Sequence, residues 1–487
     1  MLFDRRDELP SAYMVATKNP PVSLACAIGV LVVAAAIRIR AAQNSLWLDE
    51  IWSIDLVGRI SSPFEIFLRI HSDSNHYLNS LWLYWAGARG DWPGYRIPSL
   101  AAGIGTVGLA GLIGRGRSRA SGLIALLVTG FSYVLILYAS EARGYATLVF
   151  FSFLCFYLLD RYLKTQHWVC ALLFSVCASL GFISHLTFAI FFAASLPWAA
   201  LRLIRARRGF RGVAVSLAFC YVLPAAVMTA LYVADLRFLV VNGGATPGLA
   251  RCAMESFAWT LGRPPGLPVA ASCAAAAACF VVGLWMLART EPDAILLFAG
   301  TVAVVPPLLV IVSHSDVLYV RYFIVPIAFV QLLLGFSLAS IWERWGTAGR
   351  GACCLFLAGY LIANGLQVSA LFKWGRGNNA VAIRLIQREA RSDPVTVGGT
   401  QDFRIGTVVD YFARTEAHGR PLRYFAWGRW PEGGVEWLIS EKDSYEDSAP
   451  PAPAFGDSAG NRYELFAQFP TAPLSGLQWF VYRHRGM

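Results

Sequence analysis

Over most of its first 372 residues the chain repeats one pattern, an apolar run followed by a short polar connection that is often rich in arginine. A helix needs roughly 20 apolar residues to cross a bilayer. Runs of that kind fall at about 22–40, 97–114, 120–140, 145–160, 168–184, 186–201, 213–232, 268–288, 294–312, 320–341 and 351–371. The pattern predicts a polytopic α-helical membrane protein with about 11 transmembrane helices. The runs 168–184 and 186–201 stand closest together, parted only around Gly181 to His185. The first run, about Val22 to Ile37, is too long for a signal-peptide core and is read as a retained anchor.

One apolar run does not fit a span. Residues 77–88 make a helix only about 18 Å long, with Leu78, Leu81, Trp82 and Trp85 on one stripe. A short helix of this kind is predicted to lie on the membrane surface. Leaving it out puts the clusters Arg115/Arg117/Arg119, Arg161/Lys164, Arg202/Arg205/Arg207/Arg208/Arg211 and Arg344/Arg350 on the side of the N-terminus. Positive loops stay cytoplasmic, so a cytoplasmic N-terminus follows, against the local vote of Arg38 and Arg40. The first loop, about 41–96, and the segment 373–487 then face the extracytoplasmic side. After the transmembrane module 1–372, the segment 373–487 reads as a small soluble α/β domain. Strands are predicted at Pro394 to Gly398, Val435 to Ser440, Tyr463 to Phe469 and Leu477 to Tyr482, a helix at Phe403 to Arg414, and a loop at Ala449-Pro-Pro-Ala-Pro.

Composition sharpens the picture in three places. With 56% hydrophobic and 15% charged residues and a mean hydropathy of +0.52, the chain is far from the roughly one-quarter charged content of soluble domains. The net charge of +11 comes from arginines placed between apolar runs, which points to topology rather than to nucleic acid. Most of the ten cysteines sit inside apolar runs without CxxC pairs, as small hydrophobes rather than zinc ligands. With no phosphate-binding glycine motif, no nucleotide cofactor is expected.

The candidate chemistry gathers on one predicted side. The first loop carries Ser45-Leu46-Trp47-Leu48-Asp49-Glu50 and Asp73-Ser74-Asn75-His76. Glu141-Ala-Arg143-Gly-Tyr145 sits between two runs, His185 in the next turn, and His314, Asp316, Tyr319, Arg321 and Tyr322 precede the tenth run. A further loop holds Asp235, Arg237, Glu255 and Arg263. An interfacial ion pair, a turn histidine or a snorkelling arginine would account for each singly. Their collection on one side points instead to a site, since ionisable groups at membrane depth are costly. Arginine forks suit a lipid phosphate, and a nearby carboxylate suits removal of a hydroxyl proton.

In this layout the chain resembles the type C glycosyltransferase superfamily, and within it bacterial members akin to protein O-mannosyltransferases and lipid A aminoarabinose transferases. The resemblance covers about residues 22–372 and is carried by Trp47-Leu48-Asp49-Glu50, Asp73-Ser-Asn-His76-Tyr77-Leu78, Arg96-Ile-Pro98-Ser99 and Ser140-Glu141-Ala-Arg143-Gly-Tyr145. Family members often have proline where this chain has Tyr77. The resemblance implies Asp49 as catalytic base and a polyprenyl-phosphate sugar, in bacteria undecaprenyl-linked, as donor in the inner membrane. Glu50 is grouped with Asp49 as catalytic, and Arg143 and Arg321 are expected to hold the donor phosphate. Asp73, His76, Glu141, Tyr145, His185 and Tyr322 are candidates for sugar or acceptor contact or for a divalent cation. The acceptor, whether protein, lipid or glycan, stays open. Rival readings are a ligase or polymerase using pyrophosphate-linked glycans and a polytopic transporter.

Overall fold

The computed structural model describes residues 24–87, 92–240, 247–314, 317–415, 419–443 and 450–486. Asp316 and Ala449 lie outside the described residues. The chain is mostly helical, 69%, with a small C-terminal sheet. Among the described residues nine helices are long and apolar enough to cross a membrane, ten if the bent pair Arg119–Gly130 and Tyr133–Ala139 is one span. Trp168–Ser184, also expected as a span, is an apolar helix of only 17 residues. The span Val320–Arg344 is 89% buried and forms the centre, whereas Leu24–Ala41 is 17% buried and lies at the edge. The arginine-rich connections share one end of the bundle. There Arg117 meets Glu291 at 2.9 Å, and Arg202 reaches Asp160, Glu291 and Asp293 within 4.0 Å.

The helix pair of 119–139 bends by 61°, and the bend exposes backbone groups that the membrane cannot satisfy. Arg38 supplies the missing donors. Its guanidinium reaches the Gly130 carbonyl at 2.8 Å and the Thr129 carbonyl at 3.1 Å. From the other side Asn364 accepts the Tyr133 N–H at 2.8 Å, and Gln331 donates to Ser132 Oγ at 2.8 Å. Arg38 is thus a buried cap for a broken helix, which is why its charge runs against the topology rule.

The short first-loop helix, Tyr77–Ala86, has ten residues and spans about 15 Å. It buries Tyr77, Asn79, Ser80 and Leu83, so its inner face is partly polar. The apolar stripe predicted for a membrane surface is the less buried face, with Trp85 68% exposed.

In the C-terminal part, strands β1 (Val395–Gly399), β2 (Leu422–Phe425), β3 (Trp437–Lys442), β4 (Ala454–Gly456), β5 (Arg462–Phe469) and β6 (Gln478–His484) form one sheet of order β2-β1-β3-β6-β5-β4. β1 pairs in parallel with β2 and β3, and the remaining pairs are antiparallel. The helix Asp402–Thr415 makes the crossover that a parallel β1–β2 pair requires. The short strands β2 and β4 and the helix Asn379–Glu389 are additions to the sequence reading. The last membrane helix ends at Gly375, whose φ of +56° suits glycine.

Candidate functional site at one end of the helix bundle

Asp49 and Glu50 open the helix Leu48–Val57, where carboxylates favour the positive helix end. Successive helical residues diverge by about 100°, so the two acids enter different surroundings. Glu50 is fully buried and held on both oxygens by Arg96, at 2.8 Å from Nε and 2.6 Å from the terminal nitrogen. It also accepts the Ala142 N–H at 2.7 Å. Arg96, equally buried, spends its remaining donors on the carbonyls of Ala42, Asn44 and Ser45. Burial alone would raise the Glu50 carboxyl, yet Arg96 holds it below the usual carboxylate range. Glu50, expected to be catalytic, does not line the cavity, and both of its oxygens are held by Arg96 and the Ala142 N–H.

Asp49 faces the other way. Its Oδ2 is shared by Arg143 and by Arg321, the latter at 2.9 Å. The chain brings these three together from sites far apart, and 18% of the Asp49 side chain stays open. Asp49 and Arg321 line a cavity of about 490 Å³ together with Trp47, Trp52, Asp73, Ser74, Tyr138 and Tyr319, while Arg143 is buried and stands outside that lining.

The segment Ser140 to Tyr145 ties the loops of this end to one another. Asn79 donates to the Ala142 carbonyl at 2.7 Å and Ser99 to the Arg143 carbonyl at 3.0 Å. The Gly144 N–H donates to His76 Nδ1 at 3.0 Å. A Cβ on Gly144 would stand 2.1 Å from the Ser184 carbonyl oxygen, so only glycine lets these turns close.

Behind the arginines, His76, Tyr145 and His185 pack ring against ring at 4.7–5.2 Å, with Tyr322 6.2 Å from His185. His185 Nδ1 accepts from the Thr187 N–H at 3.1 Å. Burial first, and then Arg143 and Arg321, pull the His185 imidazole down to about 3 and His76 well below its ordinary value. Both rings are therefore neutral. Neither these histidines nor Tyr145 lines the cavity; they form a wall that sets the arginines. Among the described residues no group of three or more His, Cys, Asp or Glu could hold a metal ion, so the divalent-cation option gains no donor set.

Glu141 is likewise absent from the cavity lining. It is fully buried and pairs with Arg376 at 3.1 Å, outside the cavity. Arg376 further donates to the Leu137 carbonyl at 2.5 Å and to Ser140 Oγ at 3.2 Å. Burial pushes the Glu141 carboxyl up, with Arg376 and Arg143 opposing. This pair fastens the start of the C-terminal part to the membrane helices. Of the proposed sugar contacts, only Asp73 lines the cavity.

Two features went unread in the sequence. Asp235 accepts the Tyr77 hydroxyl at 2.6 Å and lies 2.5 Å from His71 Nδ1. Tyr77 therefore anchors one loop to another. The second feature is the roof of the cavity, which comes from the C-terminal domain through Gln401, Phe403, Arg404, Asp443 and residues 474–477. Trp52 meets Phe403 edge to face at 5.0 Å, and Arg414 reaches Asp55 at 3.1 Å.

Comparison with protein-family models and with curated proteins returns no match for this chain.

Proposed function

We propose that the chain is a membrane glycosyltransferase that moves a sugar from a polyprenyl-phosphate donor to an acceptor hydroxyl. In this reading eleven spans put the site on the extracytoplasmic face of a bacterial inner membrane, with the N-terminus cytoplasmic. The observation that carries it is the Asp49 carboxylate, held by Arg143 and Arg321 at the floor of a cavity where membrane helices end.

An arriving lipid phosphate would compete with Asp49 for the two guanidiniums, which bind such oxygens in pairs. Asp49 would then turn an oxygen toward the acceptor hydroxyl and take its proton. The acceptor oxygen bonds to the anomeric carbon, the bond from that carbon to the phosphate oxygen breaks, and the electron pair leaves on the phosphate. The configuration inverts. The leaving phosphate gains negative charge, and the two arginines stabilise that charge most in the transition state. The test is release of undecaprenyl phosphate from undecaprenyl-phosphate-linked pentoses and hexoses by the purified protein. Release with at least one donor supports the reading, and none across the panel counts against it.

A further inference from the structure

The cavity has two unlike walls. The membrane side offers Trp47, Trp52 and Asp73, and the C-terminal domain offers Phe403, Arg404 and Asp443. Phe403 is 49% exposed, a large aromatic ring left open beside the cavity and set against Trp52 at 5.0 Å. Arg404 pairs with Glu441 at 2.9 Å, and the Asp443 carboxylate lines the roof beside it.

A pyranose ring fits both walls. Its C–H faces are apolar and stack on aromatic rings, while its hydroxyl rim donates to carboxylates with charge-assisted strength. The volume of about 490 Å³ lies in the range of small-molecule sites. We propose that the acceptor is a saccharide, gripped between the first loop and the C-terminal domain by Trp52, Phe403 and the carboxylates of Asp73 and Asp443. The assignment rests on the transferase reading, which gives the acceptor hydroxyl its destination at Asp49.

The test is saturation-transfer NMR on the full-length protein in lipid nanodiscs, with methyl hexosides, methyl pentosides and a serine- and threonine-containing peptide as probes. At least one glycoside should receive saturation on its ring protons. Phe403→Ala should weaken its binding roughly fivefold or more, and Phe403→Trp should restore it. Saturation of the peptide alone, of no probe, or of glycosides with unchanged affinity in Phe403→Ala and Trp52→Ala would overturn the assignment. Undecaprenyl phosphate binding, followed separately by native mass spectrometry, reports on the donor reading, so the two failures are distinguishable.

Discussion

Asp49 and Glu50 are adjacent carboxylates with opposite fates, and their surroundings predict opposite phenotypes. Glu50→Gln leaves the buried Arg96 charge uncompensated, which costs about 3–5 kcal/mol. A lowered melting temperature is expected, with turnover per folded molecule near normal. For Arg143 and Arg321 the expectation reverses. Alanine at either position should slow turnover more than it weakens acceptor binding, and lysine should rescue only partly because it lacks the planar fork. Melting temperature and single-turnover rate on the same purified variants separate these outcomes. The two buried histidines give a pH prediction. Their folded-state values lie below the unfolded value of about 6.5, His185 at about 3. Between those values the unfolded chain binds more protons, so their contribution is present above about pH 6.5 and is lost as pH falls toward 3. Thermal unfolding from pH 7 to pH 4 should show falling stability, and His185→Asn should flatten the slope. An unchanged slope would mean that His185 is not held neutral.

At the scale of elements, periodicity carried far. The apolar runs are helices, and Pro394 to Gly398, Tyr463 to Phe469 and Leu477 to Tyr482 overlap strands β1, β5 and β6. What was hidden depends on distant partners. Tyr77 and Asp235 lie 158 positions apart, and nothing local in either loop announces the other. Arg38 read as a topological charge because the 61° bend that it caps is made elsewhere in the chain. β4, with three residues, is too short to show alternation. The candidate site was legible in its residue types but not in its division of labour, since burial separates Glu50 and Glu141 from Asp49. The Ser140–Tyr145 connection yields a further test. Gly144→Ala forces a methyl group against the Ser184 carbonyl and the His76 ring. Overpacking of this kind costs about 1–3 kcal/mol. Lower thermal stability together with slower turnover is expected, since Arg143 is the preceding residue. A variant with wild-type stability and rate would show that the connection tolerates movement.

For the whole molecule, the arginine-rich end and the Asp49 end belong to opposite ends of the bundle, and the C-terminal domain covers the second. Placing Asp49 outside the cytoplasm requires the eleven-span topology. Cysteines at Arg69, 72% exposed in the first loop, and at the exposed Arg119 test it. The background should lack Cys26 and Cys354, the exposed thiols among the described residues. An impermeant thiol reagent on intact cells should label position 69 and spare position 119, and the reverse would overturn the orientation. The central claim, that Asp49 serves sugar transfer as the base, has a more direct test. Single-turnover release of undecaprenyl phosphate is measured for the wild-type protein and for Asp49→Asn, with a donor and acceptor that the wild type uses. The expected result is a loss of about 10²–10⁴-fold in rate per folded molecule, with donor binding largely retained. An Asp49→Asn protein that turns over within about twofold of wild type would contradict that role.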